Sequence, residues 1–332
     1  MAPELLRRFR RINAATLVVL LLLVFLGGIV RSTGAGMGCP DWPQCFGQWV
    51  PPTDVSQLPS DYQERYADHG YATMTFNAAK TWTEYVNRLF GALTGLFIIA
   101  TLAASWPLRS AYPIFFRLCA LNLLLVLFQG WLGSKVVSSN LADYMISIHF
   151  AMAFLIIAVA GATFWMVHKA EHPKAFEPGR QSSRLVKWGA AVLAITLIQV
   201  FLGTSVRASV NTAIKELGPE ASGSWLSSIG MVYAVHKSWA YLTWAVTMMM
   251  GLQLIRRATQ KGDRIIGVSM MLVVSLQALT GAAMAVWNFP AVPQAMHVML
   301  ATLLFSLQVS VILKHALPVP RIREAMPSPQ TV

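Results

Sequence analysis

The stretch TEYVNRLFGALTGLFIIATLAAS, residues 83–105, decides the fold. It is long and apolar enough to cross a bilayer, which takes a helix of about 20 residues. Its first half nevertheless carries a carboxylate, an amide and a guanidinium within five residues, at Glu84, Asn87 and Arg88. Ionisable groups are costly in a membrane, so their presence in such a helix indicates a functional site. The stretch therefore predicts a transmembrane helix with a polar site near one end.

The rest of the chain has the composition of an integral membrane protein. Of its 332 residues 55% are hydrophobic and only 12% are charged, which is rare in soluble proteins of this size. The first apolar run is too long for a cleaved signal peptide and lacks a small-residue cleavage site. The sequence predicts an all-α integral membrane protein with eight transmembrane helices near 13–31, 82–105, 115–136, 143–167, 186–207, 229–256, 265–287 and 291–314.

The net charge of +12 is explained by membrane topology rather than by nucleic-acid binding. Lys and Arg concentrate in alternate connections, which all lie on one side of an eight-helix chain. These are the RRFRR start, 105–117, 168–187, 256–264 and the tail at 316–332. The positive-inside rule then predicts that both termini and the tail are cytoplasmic, and that the long loop 32–81 is extracytoplasmic.

The two halves of the chain resemble each other. Three segments of the first half match segments of the second half. The matched pairs are VFLGGIVRS (24–32) with VFLGTSVRA (200–208), VNRLFGALTG (86–95) with VHKSWAYLTW (235–244), and LFQGWLGSKV (127–136) with SLQALTGAAM (275–284). The last two offsets are 149 and 148 residues, and an offset of 148 also places His149 against His297. The repeat predicts two four-helix bundles, 1–168 and 185–315, related by an axis along the membrane normal.

The repeat also aligns four polar residues. His236 and His297 in the second copy correspond to Asn87 and His149 in the first. All four should lie about 7–11 Å below the outer helix ends, at a rise of 1.5 Å per residue. A lone membrane histidine can be a hydrogen-bonded packing residue, whereas two at one depth in one bundle favour a binding site.

Two imidazoles on facing helices of one bundle favour axial ligation of a haem iron. Zinc usually takes three or four N, S or O ligands, and the second copy has no carboxylate or thiolate beside the pair. Cationic side chains that could meet haem propionates lie on the same side of the membrane: Arg31, Arg88, Arg207 and Lys237. The alternative is that they only snorkel to the membrane surface.

The first copy is asymmetric, because Asn87 stands where its twin has His236. Glu84 shares a helix face with Asn87 at a spacing of three residues. A site that holds a haem through His149, with an acid nearby, suits a haem that is reacted upon. In the alternative interpretation Glu84 is merely a solvated residue at a helix end.

Two of the three cysteines, Cys39 and Cys45, lie close together in the predicted outer loop. Because the outside face is oxidising, a disulfide between them is the favoured interpretation. A metal pair is the alternative, although no histidine lies close by in sequence.

The segments GGIVRSTGAGMGCPDWPQCFG at 27–47 and EYVNRLFGALTG at 84–95, with the paired histidines, resemble the haem A synthase family. The resemblance covers all eight helices and implies an enzyme that converts haem O to haem A for cytochrome oxidase. It implies that the C-terminal half binds haem b as cofactor and the N-terminal half binds haem O. The C8 methyl group of haem O would be oxidised to formyl by successive hydroxylations.

By this resemblance the family's acid falls on Glu84, its histidines on His149, His236 and His297, and its outer cysteine pair on Cys39 and Cys45. It implies a bacterial inner membrane, haem O synthase (protohaem farnesyltransferase) as a partner, and an electron donor. The chain departs from many members at Asn87, where they have histidine. It also lacks the second cysteine pair of some members in the third outer loop, here 208–228.

Two other functions remain open at this point. A di-haem electron-transfer cytochrome b would place its haems at different depths, whereas all candidate ligands here lie at one depth. A haem-binding assembly protein that catalyses no reaction differs from the enzyme only in that it would not need the carboxylate of Glu84.

Overall fold

The computed structural model describes residues 2–176, 182–258 and 260–322. The predicted tail at 316–332 lies outside the described residues from residue 323 onward. Each predicted span lies on a long α-helix. These helices are α1 (Ala2–Ser32), α2 (Ala78–Ser105), α3 (Pro113–Ser138), α4 (Asp143–Glu171), α5 (Ser182–Leu217), α6 (Gly230–Arg257), α7 (Lys261–Val286) and α8 (Ala291–Ala316).

Seven of these helices are long and apolar enough to cross a membrane by length and composition: α1 to α5, α7 and α8. The eighth, α6, has 28 residues. Its apolar sequence is interrupted by His236, Lys237 and several Tyr, Trp and Thr residues. Seven predicted spans are therefore confirmed as candidate membrane helices, and the chain is a multi-pass membrane protein.

The helix boundaries follow from local chemistry. Asn77 caps α2, its side-chain oxygen accepting a hydrogen bond from the backbone N–H of Lys80 at 3.0 Å. Pro113 begins α3, where its missing N–H costs nothing. The expectation that 208–228 is a loop is wrong over its first ten residues, because α5 continues to Leu217. Val210 and Trp225 pack together there, so apolar burial favours the longer helix.

Each half of the chain forms a ring of contacts. Helices α1 to α4 each pack against the next and α4 returns to α1, and α5 to α8 do the same. Helix α8 also packs against α1 and α4. At this junction a Cβ on Gly28 would lie 3.4 Å from the Cα of Ala295, and the rings of Phe154 and Phe305 stack at 4.3 Å.

The outer segment between α1 and α2 has its own small core. Phe46 is buried there, and four aromatic rings meet it edge-on: Tyr62, Tyr66, Tyr71 and Phe76. The segment rests directly on α2, since a Cβ at Gly38 would lie 2.6 Å from the carbonyl oxygen of Lys80. Only glycine fits at such an approach, so the position of this segment over the start of α2 is fixed.

Candidate functional site

The three candidate histidines occupy the same place in their helices. His149, His236 and His297 are each the seventh residue, of α4, α6 and α8. Asn87 is the tenth residue of α2, because that helix begins four residues earlier than the sequence indicates.

A glycine on the preceding helix faces each of these four side chains. A Cβ built on the glycine would lie within 3.9 Å of the side chain in every case. The pairs are Gly27 with Asn87 Oδ1 (3.9 Å), Gly133 with His149 Cε1 (3.6 Å), Gly203 with His236 Cε1 (3.2 Å), and Gly281 with His297 Cε1 (3.3 Å). At 3.2–3.3 Å an alanine would push against the imidazole, so the glycines make the room in which the rings lie.

The imidazoles of the C-terminal half have neighbours that can orient them. The hydroxyl of Thr280 lies 2.9 Å from Nδ1 of His297. The amide nitrogen of Gln199 lies 3.2 Å from Nδ1 of His236. A partner on one ring nitrogen fixes the ring orientation and leaves the other nitrogen for a metal. The contact with Thr280 would therefore leave Nε2 of His297 available to a metal.

Several buried polar atoms beside the candidate residues have no hydrogen-bond partner among the described residues. In the N-terminal half they are Asn87 Oδ1, Gln129 Oε1 and His149 Nδ1, and in the C-terminal half they are Gln199 Oε1, Gln277 Oε1 and Arg207 Nε. Buried polar groups nearly always find a partner. Together with the glycine-lined space around the imidazoles, these atoms fit a bound group such as a haem in each half.

Glu84 lies beneath the outer segment and is 4% exposed. Its Oε2 accepts a hydrogen bond from the backbone N–H of Cys39 at 2.9 Å, and its Oε1 pairs with the guanidinium of Arg88. The interpretation of Glu84 as a solvated helix-end residue is wrong, because the outer segment covers the carboxylate.

Arg88 fastens the outer segment to α2. Its guanidinium donates to the backbone carbonyls of Cys39 (3.1 Å), Asp41 (2.6 Å) and Gln44 (2.9 Å), and to Glu84. The N–H groups of Arg88 are thus already hydrogen-bonded to the outer segment and to Glu84. Contact between Arg88 and a haem propionate stays a prediction.

The predicted disulfide is confirmed. Cys39 and Cys45 are bonded, with their Cα atoms 4.8 Å apart. The loop that they close is shaped by Asp41, whose carboxylate accepts from the backbone N–H of Phe46 (2.6 Å) and Gly47 (2.7 Å).

Tyr71 ties the outer segment together above Glu84. Its hydroxyl donates to the carbonyl of Met37 at 2.8 Å. Burial raises the pKa of Tyr71 above its ordinary value, and the charge of Glu84 adds a smaller effect in the same direction. The phenol therefore stays protonated and keeps donating at physiological pH.

Asp143, at the start of α4, joins the two halves. Its Oδ1 accepts from Arg31 Nη2 at 3.3 Å and from Asn211 Nδ2 at 3.1 Å. Arg207, one turn before Asn211, is partly buried, and its unpartnered Nε could bind a carboxylate. Lys237 is exposed on α6.

The sequence reasoning missed the facing glycines, Gln199, Thr280 and Asp143. All four glycines could have been found, because Gly27 matches Gly203 and Gly133 matches Gly281 within the repeat segments. The contacts of Asp143 join helices from both halves, and no local pattern indicates them.

Comparison with known proteins gives a consistent answer. The sequence model of a family described as cytochrome oxidase assembly protein (COX15-CtaA) matches residues 10–309. A protein named heme A synthase from Shouchella clausii is 24% identical over 310 residues, which cover 90% of this chain and 94% of the relative.

Two further relatives carry the same name. The one from Novosphingobium aromaticivorans is 26% identical over 306 residues, covering 80% of this chain and 83% of the relative. The one from Shewanella oneidensis is 27% identical over 223 residues, covering 66% of this chain and 63%, just under two thirds, of the relative. The match to the family model extends over most of the sequence, and the chain therefore belongs to the COX15-CtaA family of cytochrome oxidase assembly proteins.

Proposed function

We propose that the protein is a haem A synthase, an oxidoreductase that converts the C8 methyl group of haem O to formyl by successive hydroxylations. The observation that carries this proposal is the difference between two otherwise matching halves. Both have a glycine-faced pair of candidate side chains. Only the N-terminal half places a buried carboxylate, Glu84, one helical turn from the pair and replaces one imidazole with Asn87.

The C-terminal half, 185–315, is the proposed haem b site. His236 and His297 would hold the haem iron, and Thr280 would hold the imidazole of His297 in position through Nδ1. Arg207 and Lys237 would meet the propionates, and the unpartnered Nε of Arg207 supports its part in this. Haem b, when bound, would supply one-electron redox chemistry.

The N-terminal half, 1–168, is the proposed site of haem O as substrate. His149 would hold the iron, and Asn87 would leave the opposite side without a strong protein ligand. Arg31 and Arg88 would meet the propionates. Glu84 would accept or return a proton near the methyl group, since the outer segment shields it from bulk water.

The reaction has a simple overall balance. Each hydroxylation replaces one C–H bond of the methyl carbon with C–OH, and loss of water after the second leaves the formyl group. With O₂ as the oxidant, the other oxygen atom leaves as water, using two electrons from the donor and two protons. The site would lie at the outer face of a bacterial inner membrane, with both termini cytoplasmic. Haem O synthase would supply the substrate, and an electron donor would serve the redox steps.

The pigment content of the purified protein tests the proposed function. The protein is co-produced with a haem O synthase in a host that lacks haem A, and extracted haems are separated by chromatography and identified by mass. Haem A should accumulate, together with protohaem from the cofactor site. If haem O accumulates and no haem A is formed, the enzymatic proposal is overturned and a haem-binding assembly protein is favoured.

Replacing Asn87 with histidine should turn the substrate site into a tight bis-histidine site. Gly27 leaves room beside this position, since its Cβ would lie 3.9 Å from Asn87 Oδ1. The haem O complex of Asn87→His should be fully low-spin and exchange haem more slowly than wild type. Asn87→Gln is the matched control and should retain the wild-type spectrum. A fully low-spin bis-histidine spectrum in wild type would contradict this interpretation of Asn87.

A further inference from the structure

A small polar cavity lies in the core of the N-terminal half, away from the candidate site. On α3 the cavity is lined by Cys119 and Asn122, which lie 14 and 11 residues before Gly133, the glycine that faces His149. Asn122 is thus about 16 Å from Gly133 along the helix, at 1.5 Å per residue. Helices α1 to α4 each contribute two buried residues to its lining: Asn13, Thr16, Ile98, Thr101, Cys119, Asn122, Ala160 and Thr163.

Two side-chain oxygens in this lining are buried and have no hydrogen-bond partner among the described residues: Asn13 Oδ1 and Asn122 Oδ1. Their side chains belong to residues that are 1% and 5% exposed. An amide oxygen without a donor in a membrane core is costly, so these two atoms require a ligand that donates hydrogen bonds.

Several other polar groups of the lining are already engaged. Asn13 Nδ2 donates to the carbonyl of Ala160 at 3.3 Å, and the hydroxyls of Thr16 and Thr101 lie 2.8 Å apart. Thr163 donates to the carbonyl of its own helix at 3.0 Å. These donors thus have acceptors, whereas the two amide oxygens lack a donor.

We propose that this cavity binds one ordered water molecule, which donates to the oxygens of Asn13 and Asn122. The cavity offers about 10 Å³ to the centre of a water molecule, which is about the least that one bound water needs. Its lining contains no charged residue that could balance an ion, so the ligand is neutral. Water is the smallest neutral molecule with two donors.

The C-terminal half serves as an internal comparison. The repeat offsets place Val192, Met250, Met270 and Val311 where the N-terminal half has Thr16, Thr101, Asn122 and Thr163. All four are at most 1% exposed and belong to one hydrophobic cluster. Gln308 replaces Ala160 and donates to the hydroxyl of Thr196 at 2.9 Å. The same layer is therefore mostly apolar and filled by side chains in the C-terminal half, although Gln308 Oε1 there also lacks a partner among the described residues, and it is polar with a cavity in the N-terminal half.

Radiolytic footprinting of the full-length protein in lipid nanodiscs tests the proposal, since X-rays generate hydroxyl radicals from bound water inside the fold. Cys119 lines the cavity, and Met270, in the corresponding apolar cluster, is a similarly buried sulfur side chain. Cys119 should be oxidised several-fold faster than Met270, and should incorporate ¹⁸O when the sample has been equilibrated in H₂¹⁸O. Equal protection of the two residues would overturn the proposal.

A variant separates bound water from the reactivity of the thiol itself. Asn122→Met introduces the residue found at the equivalent position of the C-terminal half, and it should fill the cavity and suppress labelling of Cys119. Met270→Leu is the matched control and should leave that labelling unchanged. Persistent labelling in a folded Asn122→Met protein would refute the assignment, and the wild-type comparison stands even if that variant fails to fold.

Discussion

Replacing His297 with alanine should abolish the low-spin haem b spectrum of the purified protein. An axial imidazole has no substitute among the apolar side chains of α8, and the remaining His236 could hold the iron on one side only. The measurement is the reduced-minus-oxidised absorption spectrum of the full-length protein, with haem content determined after extraction. Imidazole added to the buffer should restore part of the low-spin signal if the cavity left by the ring is accessible.

The control for this experiment is His172→Ala. His172 is an exposed histidine just after α4 and far along that helix from His149. Its removal should leave the spectrum unchanged. An unaltered low-spin signal in His297→Ala would show that the ligand assignment is wrong. Thr280→Val offers a finer test, since loss of the partner on Nδ1 should shift the reduction potential without removing the haem.

Glu84→Gln should slow conversion of haem O by roughly 10²–10⁴-fold, the usual contribution of a positioned acid or base. The amide keeps the size of the side chain and an oxygen that can accept from the N–H of Cys39. It cannot carry the proton. The measurement is haem A formation over time, with extracted haems analysed for haem O and a hydroxylated intermediate. Wild-type rates in this variant would reduce Glu84 to an anchor for the outer segment.

Arg88→Ala distinguishes chemistry from architecture in this region. It removes the donors that hold the carbonyls of Cys39, Asp41 and Gln44, and leaves a buried carboxylate unpaired. Loss of one partner of a buried pair costs about 3–5 kcal/mol, so the outer segment should become sensitive to protease. Glu84→Gln should instead remain resistant while it is inactive. If both variants are cut equally fast, the effect of Glu84 is structural.

The sequence alone predicts the helices because membrane helices depend on local composition. Runs of about 20 apolar residues have one stable conformation in lipid, so every predicted span lies on a helix. The one boundary that differs clearly from the prediction also has a physical reason. Helix α5 continues past residue 207 because Val210 and Trp225 bury each other, and this contact depends on tertiary packing.

The candidate site is only half visible in the sequence. The histidines and Glu84 stand out because polar residues are rare in apolar runs. The partners of Glu84 do not, since Arg88 reaches carbonyls more than forty residues away in sequence. Backbone atoms carry no sequence signature, so the role of Arg88 as a fastener of the outer segment requires the fold.

Helix α8 packs against α1 and α4 as well as against its own half. It carries His297, while α4 carries His149, so one rigid element contacts the surroundings of both proposed haem sites. Because this helix contacts both sites, we expect the two occupancies to be coupled, and any such coupling is reciprocal. If bound cofactor changes the affinity for haem O by some factor, bound haem O changes the affinity for the cofactor by the same factor. We therefore expect the two haems to load interdependently, with neither one a one-way precondition for the other.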